Sequence, residues 1–204
     1  MKKIFILTLV FTLLLSIFCG CQKEDETDPD IQSSLYKAEF ETLDELKAAW
    51  KIAKQKQEQN EELSIDEALL VVLEQIPNPI AEVEGYFLKN IQVSKFCVHY
   101  VYFREGATQF YMPDENGNLV RQAMEYIFSV EDFGDMNGFE IVAEQSRTQD
   151  QLEPTEDGVF YDERSARMVF SVGNSYCILT VPDFMNQYDT ILSLCQYEII
   201  TLSE

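Results

Sequence analysis

The sequence predicts an α+β fold: a mainly antiparallel sheet with two N-terminal helices and one C-terminal helix. Three observations lead there. Two capping boxes, each followed by apolar residues at helical spacing, lie between residues 42 and 76. From Val83 onward the apolar period falls toward two, and turn-forming residues punctuate it. Helical spacing returns only over residues 186–195. Helices segregated in this way suit hairpin-linked strands, whereas a parallel sheet needs a crossover after each strand.

Ser34 to Glu41 alternates apolar and polar residues and reads as a short first strand. Thr42-Leu43-Asp44-Glu45 places a hydroxyl at an N-cap and a carboxylate three residues on, which can satisfy two exposed N–H groups reciprocally. Leu43, Leu46, Trp50 and Ala53 follow on one helical face, fading into the polar run from Lys54 to Asn60. A second box, Ser64-Ile65-Asp66-Glu67, opens a helix with the stripe Ile65, Ala68, Leu69, Val72, Leu73 and Ile76. Pro77 and Pro79 are expected to stop it.

Tyr86 to Val93 and Phe96 to Phe103 read as strands joined by a tight connection at Ser94-Lys95. Phe110 to Met112 and Leu119 to Val130 flank Pro113 to Asn118, a turn by composition. Gly134, Asn137 and Gly138 mark a loop, Phe139 to Ala143 a short strand, and Ser146 to Asp157 an exposed loop. Arg167 to Val172 and Tyr176 to Val181 form the strongest hairpin, turning at Gly173-Asn174. Asn186 to Cys195 is the last helix, with Tyr188, Ile191, Leu192 and Cys195 on one face, and Tyr197 to Leu202 a closing strand.

Ahead of these elements stands a different kind of segment. Lys2-Lys3, an apolar run from Ile4 to Phe18, and Gly20 before Cys21 have the layout of an export signal. Phe18-Cys19-Gly20-Cys21 resembles the lipobox of bacterial lipoproteins, with Phe18 where Leu is usual. That resemblance implies cleavage before Cys21, removal of residues 1–20, and diacylation of the Cys21 sulfur. Two acyl chains suffice for stable anchoring to a lipid bilayer. The apolar run is shorter than the roughly 20 residues of a spanning helix, so an uncleaved anchor is the lesser alternative. Residues 21–33 form an acidic, Pro29-containing tether, and 34–204 one domain. Gln22-Lys23-Glu24-Asp25-Glu26 resembles the acidic surface-export signal of Bacteroidota lipoproteins, which implies exposure at the cell surface.

Of 204 residues, 15 are Lys or Arg and 36 are Asp or Glu, a net charge of −21. Without Lys2 and Lys3 the balance is 13 against 36, or −23. This balance argues against nucleic acid and anionic membrane surfaces as partners, since both require a basic patch. Past Cys21 three cysteines remain, Cys97, Cys177 and Cys195, each within an apolar run. They are expected as core thiols rather than disulfides.

Motifs for chemistry are sparse. His99, the single histidine, sits two residues from Cys97, which places both on one strand face. No third group orients the pair as a nucleophilic dyad requires, so a packed imidazole is expected. Asp114-Glu115-Asn116-Gly117-Asn118 carries oxygen ligands, but Asn-Gly between strands is first a hairpin turn. The oxygen-rich loop with Glu131, Asp132, Asp135, Asn137 and Glu140 is a candidate for calcium. Tyr100, Tyr102, Tyr111, Tyr126 and Tyr161 either pack the core or line a sugar- or peptide-binding face. No nucleophile elbow, phosphate loop or dinucleotide fingerprint occurs, and no cofactor is expected.

The sequence therefore points to an extracytoplasmic, lipid-anchored protein that binds or docks an envelope or extracellular partner. An envelope-polymer hydrolase using a carboxylate pair and a cation-dependent adhesion module are the alternatives.

Overall fold

The computed structural model describes residues 37–130, 155–173 and 175–203. Cys21 and its flanks, and the loop carrying Asp132, Asp135, Asn137 and Glu140, lie outside these residues, as does the expected strand Phe139 to Ala143. The described chain is mixed in class and mainly antiparallel sheet, with three α-helices.

The first strand, β1, covers Ala38–Phe40. Helix α1 follows over Leu43–Glu58, with the Thr42 side chain accepting from the Glu45 N–H. Glu45 does reach back, but its Oε2 takes the Glu41 N–H at 2.7 Å, one residue earlier than the box requires. The expected stripe holds: Leu46, Trp50 and Ala53 are buried. Lys56, at the C-terminal end of α1, then meets Glu67 at 2.6 Å.

Helix α2 starts as expected, with both halves of the Ser64–Glu67 capping box formed. It ends much earlier than expected, spanning only Ile65–Val71. Its buried residues are Leu70 and Val71, followed by Leu73, while Ile65 and Val72 are exposed at 58% and 73%. Two successive apolar pairs, Leu69-Leu70 and Val71-Val72, allow either phase, and the shorter helix settles on the other one. Ile76, Pro77 and Pro79 belong to strand β2, Gln75–Pro79. Pro77 and Pro79 therefore do not stop the helix, which has already ended at Val71; they sit in a ribbon strand, where a missing N–H costs little.

Strands β3 (Tyr86–Val93) and β4 (Cys97–Arg104) pair antiparallel across the expected Ser94 turn. Lys89 has no partner opposite it, because the register shifts between Leu88 and Asn90. This bulge changes the alternation, so Tyr86 and Leu88 share a face with Ile91 and Val93. Strands β5 (Tyr111–Pro113) and β6 (Leu119–Arg121) form a small ribbon, and β7 (Ala123–Ser129) returns to pair with β4. The turn between β5 and β6 is the one composition predicts: Asp114 Oδ1 accepts from the N–H groups of Asn116 and Asn118, and Gly117 adopts φ +84°.

Strand β8 (Phe160–Asp162) lies in a stretch where no strand is expected. Strands β9 (Arg167–Val172) and β10 (Ser175–Thr180) form the predicted hairpin, with Gly173 at φ +60°. A short 3-10 turn, Asp183–Met185, leads to helix α3, Tyr188–Leu194. Ile191 and Leu194 are its buried residues, with Tyr188, Leu192 and Cys195 half-buried beside them. The last strand, β11 (Tyr197–Thr201), pairs with β2 as a separate ribbon and does not join the main sheet.

The seven-stranded sheet runs β1-β3-β4-β7-β10-β9-β8, antiparallel throughout. Its inner face carries Ile91, Val98, Tyr100, Met124, Tyr126, Phe128, Cys177, Leu179 and Met168, all at most 1% exposed. The helices and the β2–β11 ribbon cover that face. Three aromatic side chains tie the cover down through polar tips. Tyr100 Oη donates to Pro77 O at 2.9 Å, Tyr126 Oη to Leu194 O at 3.1 Å, and Trp50 Nε1 to Leu73 O at 2.6 Å. Each bond gives a carbonyl of the cover a buried partner, where an unpaired one would cost about 1–3 kcal/mol.

Candidate functional site

The site is built where β2 leaves its ribbon and β3 enters the sheet. Residues 80–85 cross this gap, Tyr86 N–H closing a turn onto Val83 O at 3.0 Å. Gly85 takes φ +76°, a left-handed conformation that strains any other residue. The segment thus stands off the sheet and leaves a cleft of about 880 Å³. That volume falls in the range of small-ligand sites.

Its floor comes from the end of the inner sheet face: Leu88 on β3, Tyr102 on β4 and Met124 on β7. Tyr102 and Met124 are register partners, and Leu88 pairs with Tyr102 from the other side. The Lys89 bulge is what keeps Leu88 on this face. The Tyr102 ring packs edge-on to Tyr126 at 5.9 Å, which fixes its plane. Burial pushes the Tyr102 phenol up to about 12, so it stays a neutral hydroxyl near pH 7. Glu82 and Glu84, both exposed, form the lip beside Phe87, which is 59% exposed. At one end the Tyr86 hydroxyl is buried without a hydrogen-bond partner among the described residues. Desolvation raises its pKa, and the positive charge of Arg104 offsets part of that rise.

The tyrosines considered together from sequence separate in space. Tyr100 and Tyr126 are fully buried core residues, Tyr102 lines the cleft, and exposed Tyr111 accepts from Arg121 Nη1 at 3.2 Å. Tyr161 bonds to the Asn186 side chain at 2.9 Å. Of the five, Tyr102 alone lines the described cleft, together with Tyr86.

On the opposite sheet face His99 Nε2 lies 2.9 Å from Glu125 Oε1, and Arg121 pairs with the other oxygen of the same carboxylate. Burial, with the nearby Lys37 and Arg121 cations, holds the imidazole down at about 4. A neutral ring therefore donates from Nε2. Cys97 is engaged elsewhere, its sulfur 3.3 Å from Ser94 Oγ. The packed imidazole expected from sequence is what stands there. Cys97, Cys177 and Cys195 are free thiols, as expected, and Cys177 is fully buried.

Among the described residues no cluster of three or more His, Cys, Asp or Glu is placed to hold a metal. Among them, too, no helix is long and apolar enough to cross a membrane. Comparison of the chain with protein families, with curated proteins and with solved structures found no match.

Sequence reasoning did not find this cleft. No motif marks Glu82-Val83-Glu84-Gly85, and Met124 falls within the expected strand Leu119 to Val130 as one more apolar residue. Only the pairing of β3, β4 and β7 brings Leu88, Tyr102 and Met124 under that loop.

Proposed function

We propose that this chain is a lipid-anchored binding protein, tethered through Cys21 outside the cytoplasm, whose α+β domain over residues 34–204 takes a ligand into the cleft between residues 80–85 and the sheet. The observation that carries this reading is the cleft itself. It joins an apolar, aromatic floor to a polar lip, the combination that lets a site gain both desolvation and orientation. The export signal and the acidic tether support the location, since both suit a domain held clear of a bilayer. The cell-surface placement rests on the acidic residues after Cys21, and the partner is an envelope or extracellular molecule.

Two measurements test it. Replacing Cys21 by Ala should abolish acyl labelling and leave the leader uncleaved; unchanged labelling would remove the anchor from the reading. For the cleft, methyl-labelled methionine spectra of the full chain in detergent should show the Met124 signal moving on addition of envelope fractions. The signals of Met112 and Met168, which do not line the cleft, serve as internal references. A Met124 methyl that stays fixed against every fraction would refute the cleft as the binding site.

A further inference from the structure

The cleft has a chemical bias that narrows its occupant. Its two charged lining residues are Glu82 and Glu84, and no Lys or Arg lines it. Neither glutamate is ion-paired among the described residues. Arg104, the cation that acts on Tyr86, has its guanidinium 5.3 Å from the Phe184 ring. The floor, by contrast, is apolar: Leu88 and the Tyr102 side chain, both half-buried, with Met124 behind them at 1% exposure. Exposed Phe87 offers a second ring beside the carboxylates.

A ligand complementary to this arrangement has an aliphatic stem ending in a positive charge. The stem lies along the floor while the head reaches the lip. The head gains from two carboxylates and from aromatic faces. A chain of net charge −21 also draws cations toward its surface and repels anions. A volume of about 880 Å³ exceeds one side chain and suits a few residues of extended peptide.

We propose that the cleft captures a basic segment of a partner polypeptide, inserting an arginine or lysine side chain between the Glu82–Glu84 lip and the Leu88–Tyr102–Met124 floor. This rests on the cleft being the binding site, and it adds the class of ligand.

The probe is a capped hexapeptide of alternating Leu and Arg, titrated into the full chain in a neutral detergent. Binding should saturate, shift the Met124 methyl signal, and weaken at least tenfold in the double variant Glu82→Gln, Glu84→Gln. The control is Glu61→Gln, Glu62→Gln, which removes the same charge from the loop between α1 and α2 and should change affinity less than twofold. Equal losses in the two pairs would show diffuse attraction to an acidic surface and overturn the proposal. So would an absence of saturable binding. A neutral oligosaccharide is titrated in parallel. If it moves Met124 while the peptide does not, the basic-segment assignment fails and the cleft reading survives. If neither the peptide nor any envelope fraction moves Met124, both fail.

Discussion

His99 and Glu125 sit diagonally across the β4–β7 pair, with Nε2 and Oε1 2.9 Å apart, and Arg121 pairs with the other oxygen of the same carboxylate. Opposite charge normally raises a histidine's pKa. Here burial and the cations of Lys37 and Arg121 lower it instead, from an ordinary 6.5 to about 4.

A pH dependence follows. Between these two values the unfolded chain binds a proton at His99 that the folded chain does not. Stability therefore rises with pH across that window and falls as pH drops from about 6.5 toward 4. Relative to His99→Gln, the wild-type protein should lose roughly 1–3 kcal/mol on going from pH 7 to pH 4, with the partial exposure of the ring already discounted. Urea unfolding of both proteins at the two pH values measures this. Parallel losses in the two would mean that His99 is not the titrating group.

The phase of α2 gives a second expectation. Leu70 is 1% exposed and Val72 is 73% exposed. Leu70→Ala should destabilise the protein by about 2–5 kcal/mol, and Val72→Ala by no more than about 0.5 kcal/mol. Denaturant midpoints distinguish this from the stripe that the sequence alone implies, under which Val72 would be the costly position.

Much of the fold was legible where a signal is local. The Ser64 box, the Gly173 hairpin, the Asp114 turn and the Leu46–Trp50–Ala53 stripe each depend on a few neighbouring residues. What was not legible depends on distant pairing. Gln75–Pro79 is a strand because Tyr197–Thr201 lies beside it, well over a hundred residues later. The phase of α2 is set by which of two adjacent apolar residues meets the sheet, and the sequence offers both. The cleft depends on a bulge at Lys89, and bulges leave little trace in composition. Even the candidate dyad was decided by a residue from another strand, Glu125, which no spacing around His99 announces.

The thiols make a third test. Burial pushes the Cys195 thiol up to about 12, and raises Cys177 as well. Cys177 is fully buried between Phe128 and Phe170, and Cys195 donates toward Met168 Sδ at 3.3 Å. Cys97 is half-buried at a turn, with Ser94 as its polar contact. With the native protein at pH 8, iodoacetamide should modify Cys97 well before Cys195, and Cys177 only after unfolding, because the thiolate is the reactive form. Peptide mass spectrometry over a time course reads the order. Early modification of Cys177 would place it outside the core.

The C-terminal unit provides the strongest test of how the cover holds the sheet. Strand β11 is the partner of β2 in its ribbon, and β2 carries Pro77, whose carbonyl accepts from buried Tyr100. Helix α3 supplies Leu194, whose carbonyl accepts from buried Tyr126. Phe128, at the centre of the inner face, lies 6.3 Å from the Tyr197 ring. Ending the chain at Asp183 removes α3 and β11 together. It uncovers Tyr126 and Phe128, strips the Tyr126 hydroxyl of its acceptor, and leaves β2 without a ladder. An isolated strand has no independent stability, so the Tyr100–Pro77 bond is expected to go with it. The shortened chain should therefore keep far-UV dichroism, lose near-UV dichroism and bind a hydrophobic dye, as a compact state without fixed packing does. The milder change Tyr126→Phe, which orphans the Leu194 carbonyl and little else, should cost about 1–3 kcal/mol. Cooperative unfolding of the shortened chain with native near-UV dichroism would show that α3 and β11 are a separable appendage rather than the lid of the core.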